Sequence, residues 1–554
     1  MQSAHTQTVP APAQGTPLPL MQRPRTAAVL VLVMILSALV IARHMDRGEF
    51  NIHTDEAQHA VTGLFFSDFL RDLPLLSPID YAFRYYAQYP SLGLIHWPPF
   101  FHFTEGVVFL VLGPSAVAAR LTVLGFALMG CAYWFRLVRQ FHGDGVASIA
   151  TLLLVFNSEL LLYEKSAMLE VPSLALAIAA TYYWMQYLRD HGRGALYRFV
   201  AFACLALLTK QTAIYLALFC FLTLLVRWQW RILRERDILR GIAICLLVLG
   251  PFFVLAFLLH GQTISYDVAK RAVQGYNPLF YYWIKLPSQL GLPVLALSLL
   301  GILTATRWDR RENLLDMSVW ILACYLTFTV LAGKETRYIL YWLPPYMYFA
   351  SGLLTAAWGP RWKRVAGGAL ALLLVSWQFV GAWRFERPYV TGYEATAQLV
   401  VEKAGSGILL FDGELPGNFT FFVRKFDQQR HFVVMRKALY ASRISKVFGH
   451  EELVKSEADI LHIIRTYGIR FLVVSDTEGY EFEAQRLLRT LLKTEDFELI
   501  ARQPIQSNLA GWDSRHLLVY AYKQAVPRTA RVLRIRMLTL NRDIVVSLDE
   551  LGIP

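Results

Sequence analysis

Long apolar runs separated by short polar breaks fill the first 385 residues of the chain. Most are about 17 to 21 residues long, enough for a helix to cross a hydrocarbon core, where an unpaired backbone group is too costly for open structures. They predict spans near 27–44, 118–138, 146–162, 168–188, 196–209, 211–228, 241–259, 289–306, 316–332, 338–358 and 365–383. One more apolar stretch, Phe100 to Leu112, is about 13 residues long, short for a crossing, and reads as interfacial or buried. From about Pro388 the membrane-length runs stop and shorter segments alternate. Residues 393–403 and 458–467 carry a helical pattern; 408–411, 431–435, 469–474, 497–502, 517–522, 532–537 and 544–548 are strand-like. The pattern predicts a polytopic α-helical membrane protein of about eleven transmembrane helices with a C-terminal soluble α/β domain. Its parts are a disordered tail (1–26), a transmembrane module (27–385) with a large first outer loop (45–117), and the α/β domain (386–554).

Composition agrees with that class. The 554 residues are 55% hydrophobic and 17% charged, against roughly 25% charged for soluble domains. A net charge of +13 would suit nucleic acid, but the basic residues sit in short loops between spans and read as topology determinants facing anionic headgroups. If 100–112 does not cross and the N-terminus is cytosolic, the loops holding Arg136/Arg139, Arg189/Arg193/Arg198, Arg227–Arg240, Arg307/Arg310/Arg311 and Arg361/Lys363/Arg364 all fall inside. The tail holds Arg23 and Arg25 and no small-residue cleavage site follows the first run, so the first span is expected to stay uncleaved. An odd number of spans then leaves the C-terminal domain on the extracytoplasmic face of a bacterial-type cell membrane. The five cysteines lie in apolar segments with neither metal spacing nor a disulfide framework.

On that outer face the chain gathers Asp55 and Glu56 in the first loop, then Glu170, Lys210, Lys334, Glu335, Arg337 and Tyr338. Adjacent carboxylates beside a bilayer are costly to dehydrate and call for a chemical reason. Two carboxylate sites and two cation sites suit a centre that deprotonates an acceptor and holds a phosphate. A zinc reading of Asp55-Glu56-Ala57-Gln58-His59 fails, because Asp55 occupies the place of the first histidine ligand. The bland readings are a helix first turn for Asp55 and Glu56, macrodipole compensation for Glu170 ahead of Val171-Pro172, and headgroup snorkelling for Lys210. Lys334 and Arg337, three residues apart beside Tyr338, make the firmer phosphate site. His96, Trp97 and His102 flank Pro98-Pro99, the two histidines reading either as structural or, with Trp97, as further substrate contacts, and Tyr81, Phe83, Tyr85, Tyr86 and Tyr89 either anchor at the interface or floor a sugar site. In the C-terminal part Gly405-Ser406-Gly407 is too short for a phosphate loop and reads as a helix stop.

The ordered set Asp55-Glu56, His96-Trp97-Pro98-Pro99-Phe100, Ala119-Arg120-Leu121, Met168-Leu169-Glu170-Val171-Pro172, Leu208-Thr209-Lys210 and Lys334-Glu335-Thr336-Arg337-Tyr338, followed by Pro344-Pro345, resembles the C-type glycosyltransferases. The branch is the superfamily of protein O-mannosyltransferases and aminoarabinose-lipid A transferases, and the resemblance covers roughly residues 25–385. Trp97 preceded by His96 stands where aminoarabinose transferases tend to carry a basic residue, and Glu170-Val171 where aspartate is usual. The resemblance implies transfer of a sugar from a polyprenyl-phosphate carrier to a lipid such as lipid A, a glycan or a protein at the outer face, with no cofactor and no nucleic acid. Asp55 becomes the base and Glu56 an orienting residue. Glu170 faces Asp55 across the cavity to bind acceptor, or a divalent ion if one is used. Lys210, Lys334 and Arg337, with Tyr338, hold the donor phosphate. The alternative is a non-enzymatic lipid-linked sugar translocase or other transporter, which would more often show internal repeats and interrupted helices at the bilayer midplane and would not need charges gathered on one face; no repeat is found in the sequence.

Overall fold

A computed structural model describes residues 24–52, 54–94, 96–271, 279–331, 333–355, 361–442 and 449–553, apart from positions 478, 480, 513, 525, 526 and 539. The expected 1–26 tail lies almost wholly outside the described residues. The chain opens with α1 (Pro24–Ala42), then the first-loop helices α2 (Thr54–Asp72), α3 (Pro78–Gln88) and α4 (Phe100–Leu112). There follow α5 (Ala116–His142), α6 (Asp144–Val155), α7 (Ser158–Glu164), α8 (Glu170–Asp190), α9 (Arg193–Leu207) and α10 (Tyr215–Val226). The helical part closes with α11 (Arg236–Arg271), α12 (Tyr281–Leu290), α13 (Leu292–Thr304), α14 (Arg311–Val330), α15 (Leu343–Thr355) and α16 (Arg361–Arg384).

Each span read from the hydrophobic pattern overlaps these helices, although 146–162 is divided between α6 and α7 and 289–306 between α12 and α13, and the end of 338–358 lies outside the described residues. Among the described residues five helices are long and apolar enough to cross a membrane alone, or up to seven if two bent pairs each form one span. Length and composition therefore do not carry the count of eleven. The bends have local causes. Between α6 and α7 the axis turns by 71°, where Asn157 restarts the helix by accepting from the Leu160 amide at 3.1 Å. Between α12 and α13 it turns by 113°, at Gly291 with φ +74°, a conformation that favours glycine, just before Pro293 in the first turn of α13. The stretch Phe100–Leu112 is a helix of its own that packs on α2, where the Glu105 side chain fills the space beside Gly63.

The C-terminal region begins with β1 (Val390–Thr391), α17 (Tyr393–Ala404), β2 (Gly407–Asp412), α18 (Pro416–Phe426), β3 (Phe432–Met435), β4 (Tyr440–Ser442) and β5 (His450–Glu452). It continues through α19 (Glu457–Thr466), β6 (Phe471–Ser475), α20 (Glu483–Leu491), β7 (Phe497–Pro504), β8 (Gln506–Ser507), β9 (His516–Tyr522), β10 (Val532–Met537) and β11 (Arg542–Ser547). The main sheet runs β3-β2-β6-β9-β7, parallel across β3, β2 and β6 and antiparallel from β6 to β9 and β7. The anticipated strands are present; α18 and α20 are additions. Pro416-Gly417 hides the start of α18, and α20 is short and mostly polar.

The sheet region does not stand apart from the first loop. One apolar core joins Phe50, Val61, Leu64 and Tyr85 of the loop to Phe411, Phe419, Phe422 and Val473. Helix α18 crosses α2 so closely that a methyl group on Gly417 would sit 3.1 Å from Ala57 Cβ. Later in α2, Arg424 grips Asp68 through two bonds of 2.9 and 2.6 Å, and the Tyr85 hydroxyl donates to the same carboxylate at 2.7 Å. Glu49 accepts from the amides of Gly392, Tyr393 and Glu394 at 2.8, 3.1 and 3.0 Å and so caps α17.

Candidate active site

Neighbouring positions in the first turn of α2 have opposite environments. Glu56 is fully buried. It accepts from the backbone amides of Asn51 (2.5 Å) and Ala167 (3.0 Å) and from Arg120 Nε (3.1 Å). Burial pushes its carboxyl up, but Arg120, Arg387 and the two amides outweigh it and hold the group below its ordinary value. Arg120, also fully buried, donates in turn to the carbonyls of Met45 (2.7 Å) and Glu49. Because Ala167 leads into Met168-Leu169-Glu170, the Glu56 carboxylate ties the loop carrying one acidic site to the helix carrying the other. Both Glu56 oxygens are thus spent on the protein.

Asp55, one residue earlier, keeps 26% of its side chain exposed and accepts from Arg337 Nη1 at 2.7 Å. The same guanidinium group lies 3.7 Å from Glu170 Oε1 and pairs through Nε with Glu335. Glu170 opens α8, with Pro172 in the first turn as the pattern predicts. Its Oε1 accepts from Lys210 Nζ at 2.5 Å, while Oε2 is buried and has no hydrogen-bond partner among the described residues. Lys210 sits in the break between α9 and a short 3-10 turn at Gln211–Ile214. Tyr338 lies beneath both cations, 5.7 Å from Lys210 Nζ and 5.8 Å from the Arg337 guanidinium carbon, and its hydroxyl donates to Glu335 at 3.1 Å. Residues from four separate stretches of sequence, 55, 170, 210 and 335–338, thus form one chain of opposed charges.

Lys334 does not join it. Its ammonium group donates to the carbonyls of Phe328, Thr329 and Leu331 and closes the C-terminal end of α14. His96 is exposed and offers its carbonyl to Gln211 Nε2 at 2.7 Å. His102 is sealed in the protein, with Nδ1 3.2 Å from the Pro98 carbonyl and Nε2 3.0 Å from His59 Nδ1. Burial pushes His102 down to about 3. The Trp97 ring packs on His59 with centroids 4.3 Å apart. Sequence reading names Thr212 beside Lys210 but misses Tyr341 and Ser173: the Tyr341 hydroxyl donates to Ser173 at 2.7 Å and lies 2.9 Å from the Thr212 hydroxyl. The signal for Ser173 was its place in the turn after Glu170. Among the described residues no group of three or more His, Cys, Asp or Glu side chains could hold a metal ion.

The arrangement can do two things chemically: accept a proton at an oxygen open to solvent, and meet a phosphate with a planar guanidinium and an ammonium group. Residues 96–254 match the family model of dolichyl-phosphate-mannose-protein mannosyltransferase. No match emerges among curated protein sequences. In solved structures, the chain is similar to ArnT from Cupriavidus metallidurans bound to undecaprenyl phosphate, with a TM-score of 0.63 at 15% identity over 91% of this chain and 100% of that one. It is also similar to the Archaeoglobus fulgidus oligosaccharyltransferase in its apo form (TM-score 0.53, 11% identity, 82% of this chain and 70% of that one). A third likeness is to the mycobacterial arabinofuranosyltransferase AftD, with a TM-score of 0.50 at 14% identity over 91% of this chain and 40% of that one. The resemblance read from the ordered motifs holds in both comparisons: the chain has the fold of the C-type glycosyltransferases, and the linked charges of Asp55, Glu170, Lys210 and Arg337 sit on that fold.

Proposed function

We propose that the protein transfers a sugar, with inversion, from a polyprenyl-phosphate donor to an acceptor hydroxyl at the extracytoplasmic face of a cell membrane. The observation that carries this is the contiguous run Asp55–Arg337–Glu170–Lys210, linked at 2.7, 3.7 and 2.5 Å. The family match and the undecaprenyl phosphate bound to ArnT support the donor class.

In this reading the donor phosphate takes Arg337 and Lys210, where it competes with Asp55 and Glu170 for the cations. Once the donor phosphate has drawn Arg337 away, the Asp55 carboxylate is left to face the acceptor hydroxyl. Asp55 then takes the proton of the acceptor hydroxyl, whose oxygen attacks the anomeric carbon from the side opposite the phosphate. The C–O bond to phosphate breaks and its electron pair leaves on the phosphate, where Arg337 and Lys210 offset the developing charge. Glu170 Oε2, which lacks a partner, is the oxygen free to accept from the incoming acceptor. Lys334 acts at a distance, by closing the helix that precedes the Glu335–Tyr338 segment.

Mass spectrometry of lipid A, envelope protein and glycan extracts from cells with and without the gene tests the activity. Loss of one glycosylated species is expected, and identical profiles would overturn the reading. Orientation is tested on a cysteine-free background: a cysteine at Arg234 labels from the cytosol and one at Lys493 from outside. Labelling of both from one side would refute the extracytoplasmic site.

A further inference from the structure

His59 stands one turn beyond Asp55 on the same face of α2. Its ring has a defined hydrogen pattern. The Pro98 carbonyl can only accept, so the proton on His102 is at Nδ1 and His102 Nε2 carries a lone pair. That lone pair accepts from His59 Nδ1, which leaves His59 Nε2 bare as an acceptor. The ring is only 2% exposed, yet Nε2 is not sealed off as both Glu105 oxygens nearby are. Trp97, itself half-buried, covers one side of the ring at 4.3 Å. Beyond His102, the positive groups Lys210, Arg337 and His96 also act on His59, so the ring lies within electrostatic reach of the two cations. Burial, then these neighbours, hold the imidazole well below its ordinary value, so it stays neutral at physiological pH.

We infer that His59 Nε2 is a fixed hydrogen-bond acceptor for a hydroxyl of the donor's sugar, with the Trp97 ring as the wall of that sugar site and His102 as the residue that sets the tautomer. The inference rests on the donor reading above and deepens it. A neutral acceptor suits a sugar hydroxyl, because an imidazolium could only donate. An aromatic wall beside it suits the apolar face of a pyranose or furanose ring. The site therefore selects by sugar and leaves the carrier phosphate to Arg337 and Lys210.

Two substitutions separate this from a structural histidine pair. In His59→Asn the amide nitrogen takes the place of Nδ1, so the bond to His102 is kept and the acceptor is lost. In His59→Gln the amide oxygen takes the place of Nε2, so the acceptor is kept and the bond to His102 is lost. Binding is read on the purified full chain with undecaprenyl phosphate and with undecaprenyl-phosphate mannose, glucose, arabinose and aminoarabinose. The readout is the ratio between the tightest sugar-loaded carrier and the bare carrier. His59→Asn should lower that ratio about 5- to 10-fold with binding of bare undecaprenyl phosphate unchanged, and His59→Gln should restore most of it. An unchanged ratio in His59→Asn, or a loss in His59→Gln alone, would overturn the sugar contact. A wild-type chain that binds no sugar-loaded carrier better than the bare one would instead overturn the donor reading itself.

Discussion

At the start of α2, Asp55 meets Arg337 at 2.7 Å with about a quarter of each side chain open to solvent. Later in the same helix, Asp68 meets Arg424 through two bonds, with both side chains less than 10% exposed and a tyrosine hydroxyl filling a further site on the carboxylate. The chemistry is the same and the roles differ because of what surrounds it. Asp68 has a bidentate partner whose remaining donor is taken by the Asp427 carbonyl at 2.8 Å, which makes the pair a fixed joint between the first loop and the sheet region. Arg337 is shared among Asp55, Glu170 and Glu335 in a space that water reaches. A cation claimed by three carboxylates can be taken over by an incoming phosphate at modest cost. A fastened pair fits assembly, and a contested one fits exchange.

The sharpest way to break this contrast is at Asp55. Asp55→Asn preserves shape but cannot take a proton. Sugar transfer by the purified variant should fall about 100- to 10,000-fold, with its unfolding temperature and donor binding close to wild type. Near wild-type turnover would move the base elsewhere, with Glu170 next to test.

At the other end the expected loss is in stability. Arg424→Met strands the buried Asp68 charge and should cost about 3–5 kcal/mol of unfolding free energy. Combining it with Asp68→Leu should recover most of that, because no charge is then left alone. Turnover per folded molecule should change little in either. An unfolding midpoint equal to wild type in Arg424→Met would show that the joint carries no load.

The cap on α17 makes the junction sensitive to pH. Burial pushes Glu49 up from 4.5 to about 7, although three backbone amides pull the other way. The folded state therefore holds a proton that the unfolded chain has released between those values. Stability from this group is full at low pH and is lost as pH rises through 7. The difference is about 3 kcal/mol, read as a fall in unfolding temperature from pH 5 to pH 8 that Glu49→Gln flattens. A wild-type profile as flat as the variant's would remove Glu49 as the cause.

The smallest effects separate the cations. Lys210→Met or Arg337→Ala should weaken binding of polyprenyl phosphate by about 1.5–3 kcal/mol. Lys334→Ala should leave that binding alone and register only as lost stability at the end of α14. Equal losses of binding in Lys334→Ala and Arg337→Ala would mean that Lys334 reaches the phosphate after all.

What the sequence by itself determined follows from one-dimensional periodicity. Apolar runs of membrane length placed the helices, because backbone pairing in hydrocarbon leaves few alternatives. The 13 residues from Phe100 to Leu112 were too few to span and formed a separate helix against α2. Charges such as Asp55, Glu170, Lys210 and Arg337 stood out because polar groups are costly where they occur, and the ordered motifs carried the family likeness. The strands of the C-terminal region were legible, while α18 was not, since its Pro-Gly opening reads as a turn.

Only the tertiary structure decided which charges serve and which support. Asp55 and Glu56 are neighbours in sequence, yet successive helical positions point about 100° apart, so one meets Arg337 at a partly exposed position and the other meets Arg120 and the Ala167 amide in the interior. Lys334 and Arg337 both lie in a short polar segment, and which one meets a carboxylate depends on where α14 ends and the next 3-10 turn begins. The pairing of Asp68 with Arg424 joins residues 356 positions apart. No local pattern encodes such a contact, because it exists only once the sheet region has docked on α2 and excluded water from both partners.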